Sequence, residues 1–306
     1  MRKWMLFATL CYFLAISAQD FGMQWMSASQ ADKADMVWFR HTYSLHERPT
    51  QASISIATTG YFRLYVNGYD VSTAYRLPYR EKGDTGSIGH IFDVTRFLQA
   101  GDNIIAVYCS PLAYDLDRAL FAFRFDGKWV NGQRFSYDGS EGWLCRSASF
   151  SLMPDGRQVQ NGLSEEYTYS TADESLACWY PATMIPSPQN RSTRWHQSFY
   201  QEEVVAEEIR PLYFNVEGDS VFYEFGTGFQ GYVRVTLRDA IPGECIYING
   251  SQYICSGQMD EQIFQRLQIT NCRQVCISGD TNFRRSQIQK IEGIGIKSRW
   301  HEDWNY

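Results

Sequence analysis

The chain has 306 residues, of which 44% are hydrophobic, 20% charged and 16% aromatic. This composition and length are typical of a globular protein of about two domains, each large enough to bury a core. The net charge is −6 and the sequence contains no basic run, which argues against a nucleic-acid or anionic-membrane partner. The high aromatic content favours strands.

The N-terminus has the pattern of a secretory signal peptide. Arg2 and Lys3 precede an apolar run from Trp4 to Ile16, and small residues end at Ala18. We expect cleavage near Ala18 and a mature protein in the periplasm or outside the cell. An N-terminal membrane anchor is the alternative, but the apolar run is shorter than the ~20 residues that span a bilayer. We therefore expect no membrane span after cleavage.

Two segments of the first half carry strong strand and turn signals. In the segment 60–72, alternating residues lead into Asn67-Gly68 and a second run leaves it. This is the pattern of a type I′ hairpin, whose two central positions need positive φ. In the segment 91–108, a short turn at Gly101-Asp-Asn103 leads into a buried apolar strand.

These segments resemble the jelly-roll sandwich that precedes the catalytic domain in bacterial α-L-rhamnosidases. The resemblance rests on Val66-Asn-Gly68 at the hairpin, on Asp93-Val-Thr95 and the strand after it, and on Trp25 and Val37-Trp-Phe-Arg40. It implies an all-β chain of two jelly-roll or galactose-binding-like β-sandwich domains, with almost no helix beyond the signal segment. It also implies a carbohydrate ligand, for which a rhamnose-containing glycan is one candidate.

The second half resembles the second β-domain of the same enzymes. In the segment 220–237, Phe225-Gly226 predicts a bend and close backbone approach before an alternating strand, and Pro242-Gly243 lies where the family has a turn. The chain departs from the family pattern at Glu224, where Asp is usual. It departs again at 249–251, where the family usually carries a Glu.

The expected domain organisation follows from these segments. Residues 1–18 are the signal peptide, 19–185 the first sandwich, 186–205 a linker and 206–306 the second sandwich. The linker is indicated by Ile185-Pro-Ser-Pro188, because proline fixes φ and removes a backbone donor. In the family, the helical barrel that carries the catalytic acids begins about where this sequence ends. We therefore expect the accessory part of such an enzyme here.

The sequence gives little support to catalysis. Hydrolysis of a glycosidic bond needs two carboxylates that face each other about 5 to 9 Å apart. Asp138, Glu165 and Glu166 lie in the loop-rich region 128–177, but no spacing pairs them, and solvated loop charges are the favoured interpretation. The sequence also has no Gly-x-Ser-x-Gly elbow, phosphate loop or His-Glu-x-x-His motif. These observations favour a protein that is not an enzyme.

The candidate binding residues are aromatic and acidic residues in turn-rich sequence. A sugar ring stacks its CH face on Trp or Tyr, while carboxylates bind its hydroxyls. The candidates are Trp129, Tyr137, Asp138, Trp143, Glu166 and Trp179. The alternative for each ring is that it fills one end of the sandwich. No cofactor is expected; modules of this type often hold Ca²⁺, but no EF-hand-like spacing indicates it.

Seven cysteines remain after signal cleavage, and their odd number leaves at least one free thiol unless chains are cross-linked. No Cys-x-x-Cys pair or histidine cluster indicates a zinc site. Cys245 and Cys255 flank Asn249-Gly250. A two-residue turn there pairs Cys245 with Ile254 and puts the two sulfurs on opposite faces, whereas a three-residue loop brings them within disulfide range. Asn-Gly favours the two-residue turn, so we predict no bridge.

Three functions remain open from the sequence. The favoured one is an exported, non-catalytic carbohydrate-binding protein of a glycan-degrading system. The second is an accessory subunit that docks on a separate glycosidase, which a wide apolar patch on one sandwich face would support. The third is an α-L-rhamnosidase-like glycoside hydrolase, which a pair of facing carboxylates in a pocket would support.

Overall fold

The computed structural model describes residues 22–300, except 82, 85, 115–116, 165, 188–192 and 196–200. In this part of the chain the secondary structure is strand with three single-turn 3₁₀ helices, which confirms the all-β prediction. No helix within it is long and apolar enough to cross a membrane. The predicted signal peptide, Glu165 and much of the predicted linker lie outside the described residues.

The described strands form two sheets. The smaller sheet contains β1 (Gln24–Ser27), β3 (Gln51–Thr58), β6 (Ile88–Asp93), β8 (Phe121–Lys128), β9 (Arg134–Tyr137), β13 (Thr183–Ile185) and β14 (Arg194–Trp195). Its order is β13-β1-β8-β3-β6-β14, with β9 paired to β8.

The larger sheet runs through both halves of the chain. It contains β2 (Asp35–Leu45), β4 (Tyr61–Val66), β5 (Tyr69–Asp70), β7 (Gly101–Ser110), β10 (Leu144–Leu152), β11 (Gln158–Asn161), β12 (Tyr180–Pro181), β15 (Gln201–Ile209), β16 (Tyr213–Glu217), β17 (Ser220–Leu237), β18 (Cys245–Ile248), β19 (Ser251–Ile254), β20 (Glu261–Phe264), β21 (Thr270–Gly279) and β22 (Ile288–Trp300). Its order is β15-β22-β17-β21-β18-β19-β11-β10-β2-β7-β4-β5, with β12 on β10 and with β16 and β20 on β17. The 3₁₀ turns are Thr95–Phe97, Leu176–Cys178 and Arg285–Gln287.

The first sandwich packs the smaller sheet against one face of β2, β4 and β7. Phe39 of β2 meets Phe121 of β8 with ring centroids 4.7 Å apart, and both rings are buried. Because side chains alternate along a strand, the neighbouring Trp38 points to the other face, where it joins a second buried cluster with Tyr108 and Phe150. Both faces of β2 are therefore covered.

The second sandwich is organised by the long strand β17. Val233, Val235 and Leu237 are buried, while the alternate residues Arg234 and Thr236 are half-buried, as the sequence predicts. The register of β17 against β21 shifts between Glu224 and Phe229. At this shift Gly226 and Gly228 have φ of 70° and 79°, which places the predicted bend here.

Both Asn-Gly pairs form the predicted hairpin turns. Asn67 and Gly68 have φ of 52° and 82°, and Asn249 and Gly250 have φ of 48° and 79°. In the second hairpin Cys245 pairs with Ile254, which confirms the two-residue register. The side chain of Cys255 is accordingly on the opposite face from that of Cys245.

The two sandwiches are joined by a short parallel ladder and by a segment that we call the junction arm, residues 264–268. Strand β11 pairs in parallel with β19. Leu267 of the arm, with φ of 56°, is 2% exposed and belongs to the cluster of Trp38, whose other members come from the first sandwich. The Gln158 amide clamps the arm, because its Nε2 donates to the Arg266 carbonyl at 2.6 Å and its Oε1 accepts from the Arg266 N–H at 3.0 Å.

We predict that Leu267→Ala lowers the free energy of unfolding by about 2–4 kcal/mol, because it removes a buried side chain from the cluster of Trp38. Denaturant unfolding measures this change. Leu212→Ala is the matched control, since Leu212 is 73% exposed and its truncation should cost less than about 0.5 kcal/mol. Equal effects of the two substitutions would show that the arm adds nothing to stability.

The carboxylate of Glu292 on β22 gives the second sandwich a defined response to acid. It is buried and lies opposite Arg234 of β17, whose Nε donates to it at 2.8 Å, and the Lys290 ammonium also contacts it. The hydrogen bond from Arg234, together with that from Lys290, lowers the pKa of Glu292 from 4.5 to about 2. Because the folded-state pKa lies below the unfolded one, this stabilisation is present above pH 4.5 and is lost as the pH falls towards 2.

We expect Glu292→Gln to flatten the loss of stability between pH 4.5 and 2. Thermal or urea unfolding at a series of pH values measures the slope. The control is Glu217→Gln, the same chemical change at an exposed position of β16. If Glu292→Gln changes the dependence of stability on pH no more than Glu217→Gln does, Glu292 is not the source of the acid response.

Candidate functional site

Two of the predicted binding aromatics lie in the core of the first sandwich, and a third packs against it. Trp143 is fully buried, with its ring 4.6 Å from that of Phe123. Trp129 is 8% exposed and packs 4.3 Å from Phe135, and Tyr137 is half-buried against the same cluster. Buried rings cannot present a face to a sugar, so Trp129 and Trp143 fill the sandwich instead, which is the alternative that the sequence left open.

Trp179 and Asp138 have structural roles at two separate places. Trp179 is buried, and its indole N–H donates to Glu174 at 3.0 Å. Asp138 lies in an exposed turn, where hydrogen bonds from the Ser140 side chain and backbone N–H lower its pKa. Trp179 belongs to the cluster of Trp38, whereas Trp143 belongs to the core cluster of Phe39.

Glu166 is the predicted residue that lines a large cleft, which we call the inter-sandwich cleft. The cleft has a volume of about 560 Å³, within the usual range for small-molecule sites. Its walls are β10, β11 and the loop 162–171 of the first sandwich, and the loop 255–260 with β20 of the second. The cleft therefore exists because the two sandwiches are joined at β11 and β19.

A partly buried ion pair forms the floor of the cleft. The Glu166 carboxylate accepts a hydrogen bond from the Arg266 guanidinium at 3.2 Å and another from the Ser149 N–H. The Arg266 guanidinium also lies over the rings of Phe150 and Phe264, at 4.8 and 5.6 Å from their centroids. Both charges are thus held in fixed positions and balanced by each other.

The loop that carries Glu166 is anchored to the large sheet by Arg40. The buried Arg40 guanidinium donates to the carbonyls of Tyr169 and Thr171, at 2.9 and 2.6 Å. These bonds satisfy the loop backbone where no strand partner is available. The position of the cleft wall is therefore set by the sheet itself.

The opposite wall is organised by Glu261. Its buried carboxylate accepts hydrogen bonds from the Tyr253 hydroxyl, the Ser256 N–H and, at 3.1 Å, the Gly257 N–H. The two walls touch at Gly162, where an added Cβ would lie 2.4 Å from the Tyr253 hydroxyl. A side chain at this position would force the walls apart.

Two polar atoms at the cleft have no hydrogen-bond partner among the described residues. They are Nε1 of Trp38, a residue that is 4% exposed, and Oε1 of Gln160. A buried polar group without a partner costs free energy. One atom is a donor and the other an acceptor.

The rim of the cleft presents large exposed side chains from both walls. Tyr167 is 78% exposed and Met259 is 82% exposed, and both line the cleft. Asn161 and Asp260 add polar groups, and Asp260 is paired with Arg238 at 2.6 Å. An exposed tyrosine ring above polar groups is the arrangement that can hold the apolar face and the hydroxyls of a sugar together.

No three His, Cys, Asp or Glu side chains in the described part of the chain cluster as ligands for a metal ion. The carboxylates of the cleft instead accept hydrogen bonds from arginines, backbone N–H groups and a tyrosine hydroxyl. Tyr167, Trp38 and Arg266 also line the cleft and are not among the binding residues predicted from the sequence. Tyr167 could have been found, because it follows Glu166 directly in a loop.

The fold and the cleft define an all-β, two-sandwich protein with a polar and aromatic site between its sandwiches. The model of the α-L-rhamnosidase N-terminal domain matches residues 47–204, about half of the chain. The chain therefore belongs to the family of α-L-rhamnosidase N-terminal domains. None of the curated proteins matches it.

Solved structures of α-L-rhamnosidases share the fold. The enzyme from Dictyoglumus thermophilum superposes with a TM-score of 0.75 at 18% identity, over 90% of this chain and 35% of the enzyme. The native enzyme from Aspergillus terreus superposes with a TM-score of 0.73 at 14% identity, over 90% of this chain and 36% of the enzyme. The Streptomyces avermitilis enzyme complexed with L-rhamnose superposes with a TM-score of 0.70 at 14% identity, over 86% of this chain and 29% of the enzyme. The chain thus spans about a third of the length of these enzymes.

Proposed function

We propose that this chain is an exported carbohydrate-binding protein of a glycan-degrading system and that the inter-sandwich cleft binds the glycan without hydrolysing it. The observation that carries the proposal is the cleft itself, which is lined by the exposed Tyr167 ring and by the polar side chains of Asn161 and Gln160. Membership of the rhamnosidase family and the likeness to an enzyme complexed with L-rhamnose support a rhamnose-containing glycan as the ligand. Export to the periplasm or beyond rests on the signal-peptide pattern.

The partners of the cleft carboxylates support binding without hydrolysis. A general acid must hold a proton that it can transfer, and a base or nucleophile must reach the reacting atom. Glu166 forms an ion pair with Arg266. Glu261 accepts hydrogen bonds from the Tyr253 hydroxyl and from two backbone N–H groups. Neither carboxylate is available for these roles in the described arrangement.

We expect Tyr167→Ala to weaken binding of rhamnose-containing oligosaccharides about tenfold or more, because the stacking surface is lost. Isothermal titration calorimetry measures the affinity, with and without added Ca²⁺. Tyr213→Ala is the matched control, since Tyr213 is 61% exposed and lies on β16 outside the cleft. Both variants should fold normally.

The same oligosaccharides should remain intact after incubation with the protein. Unchanged affinity in Tyr167→Ala would remove the cleft as the binding site. Release of sugar that stops in Glu166→Gln would instead show a glycoside hydrolase.

A second candidate function is docking on a separate glycosidase. It is supported by an exposed apolar patch at β16, made of Leu212, Tyr213, Phe214 and Val216, which are 43% to 73% exposed. Patches of this kind mark protein contact surfaces. If the wild-type chain binds no carbohydrate, the first proposal fails and docking becomes the favoured function.

A further inference from the structure

A second, smaller cleft also borders the junction arm. Its volume is about 350 Å³, and Thr73, Tyr75 and Tyr232 line it together with the arm. The rings of Tyr75 and Tyr232 are stacked, with centroids 5.0 Å apart and planes inclined by 15°. Tyr75 is buried and Tyr232 is half-buried.

The smaller cleft has the same kind of polar chemistry as the inter-sandwich cleft. Arg63 lines it and pairs with Asp70, while Nε of Arg63 is buried and has no hydrogen-bond partner among the described residues. The side chain of Gln265 also lines it. A tyrosine pair beside guanidinium and amide groups can hold the CH face and the hydroxyls of a sugar.

The two clefts share one boundary. Tyr65, Phe264 and Arg266 line both of them. Each of these three side chains is only partly buried, and that of Arg266 is 31% exposed. The two clefts are therefore neighbours, separated by the thickness of these side chains.

We propose that the two clefts are subsites of one extended site and that the ligand is a glycan chain, not a single sugar. This inference rests on the proposed function. One sugar unit is bound in the inter-sandwich cleft under Tyr167, and a later unit of the same chain is bound at Tyr232. Binding at the second subsite is then intramolecular, so affinity rises with chain length until both clefts are occupied and does not rise further.

The test compares L-rhamnose with a size-fractionated series of rhamnose-containing oligosaccharides by isothermal titration calorimetry. Thr73→Trp blocks the smaller cleft with a bulky side chain at an exposed position. Thr281→Trp is the matched control, because Thr281 is also exposed and lines neither cleft. Both substitutions leave the packing of the sandwiches in place.

For the wild type and Thr281→Trp we expect affinity to rise about tenfold or more along the series. Thr73→Trp should keep the affinity for the shortest ligands and lose the rise. Affinity that is independent of length, or a rise that Thr73→Trp retains, would overturn the extended site and leave the proposed function standing. Absence of binding at every length would overturn both.

Discussion

The insertion of Leu267 into the first sandwich is the contact on which the site depends. The side chain belongs to the second half of the chain, yet it is buried among residues of the first, beside Trp38 and Tyr108. A leucine with φ of 56° is in a sparsely populated conformation, so the surrounding contacts must hold it there. The clamp from Gln158 and this burial together fix Phe264 and Arg266, which form the boundary between the two clefts.

The parts of the fold that the sequence predicted correctly are governed by local rules. Asn67-Gly68 and Asn249-Gly250 form their turns because asparagine and glycine tolerate positive φ, and the alternation of 233–237 follows from the geometry of a strand. Local rules could not predict the cleft, because Glu166 and Arg266 lie far apart in the sequence. They meet only where β11 pairs with β19. The glycine-rich surroundings of Trp143 predicted a loop. Long-range packing buries its ring completely, and no local pattern reports this.

The cleft is framed by charged groups that are paired within the protein. Its floor and walls are held by charges and donors that already have partners, as in Glu166 with Arg266 and Glu261 with Tyr253. The rim adds an exposed tyrosine ring, that of Tyr167, and the polar side chain of Asn161. A prearranged site of this kind loses little conformational entropy when a ligand binds. The rhamnosidase enzymes share this two-sandwich fold with the chain at low identity, so the cleft must be judged on its own residues.

The most direct test of the cleft as the binding site is hydrogen–deuterium exchange of the chain with and without a saturating rhamnose-containing oligosaccharide. Exchange reports which backbone amides become protected, independently of any substitution. The account predicts slower exchange in 160–170 and 253–262, which form the two walls of the inter-sandwich cleft. Protection confined to 128–143, at the end of the first sandwich where the sequence placed most of the aromatic candidates, would contradict it.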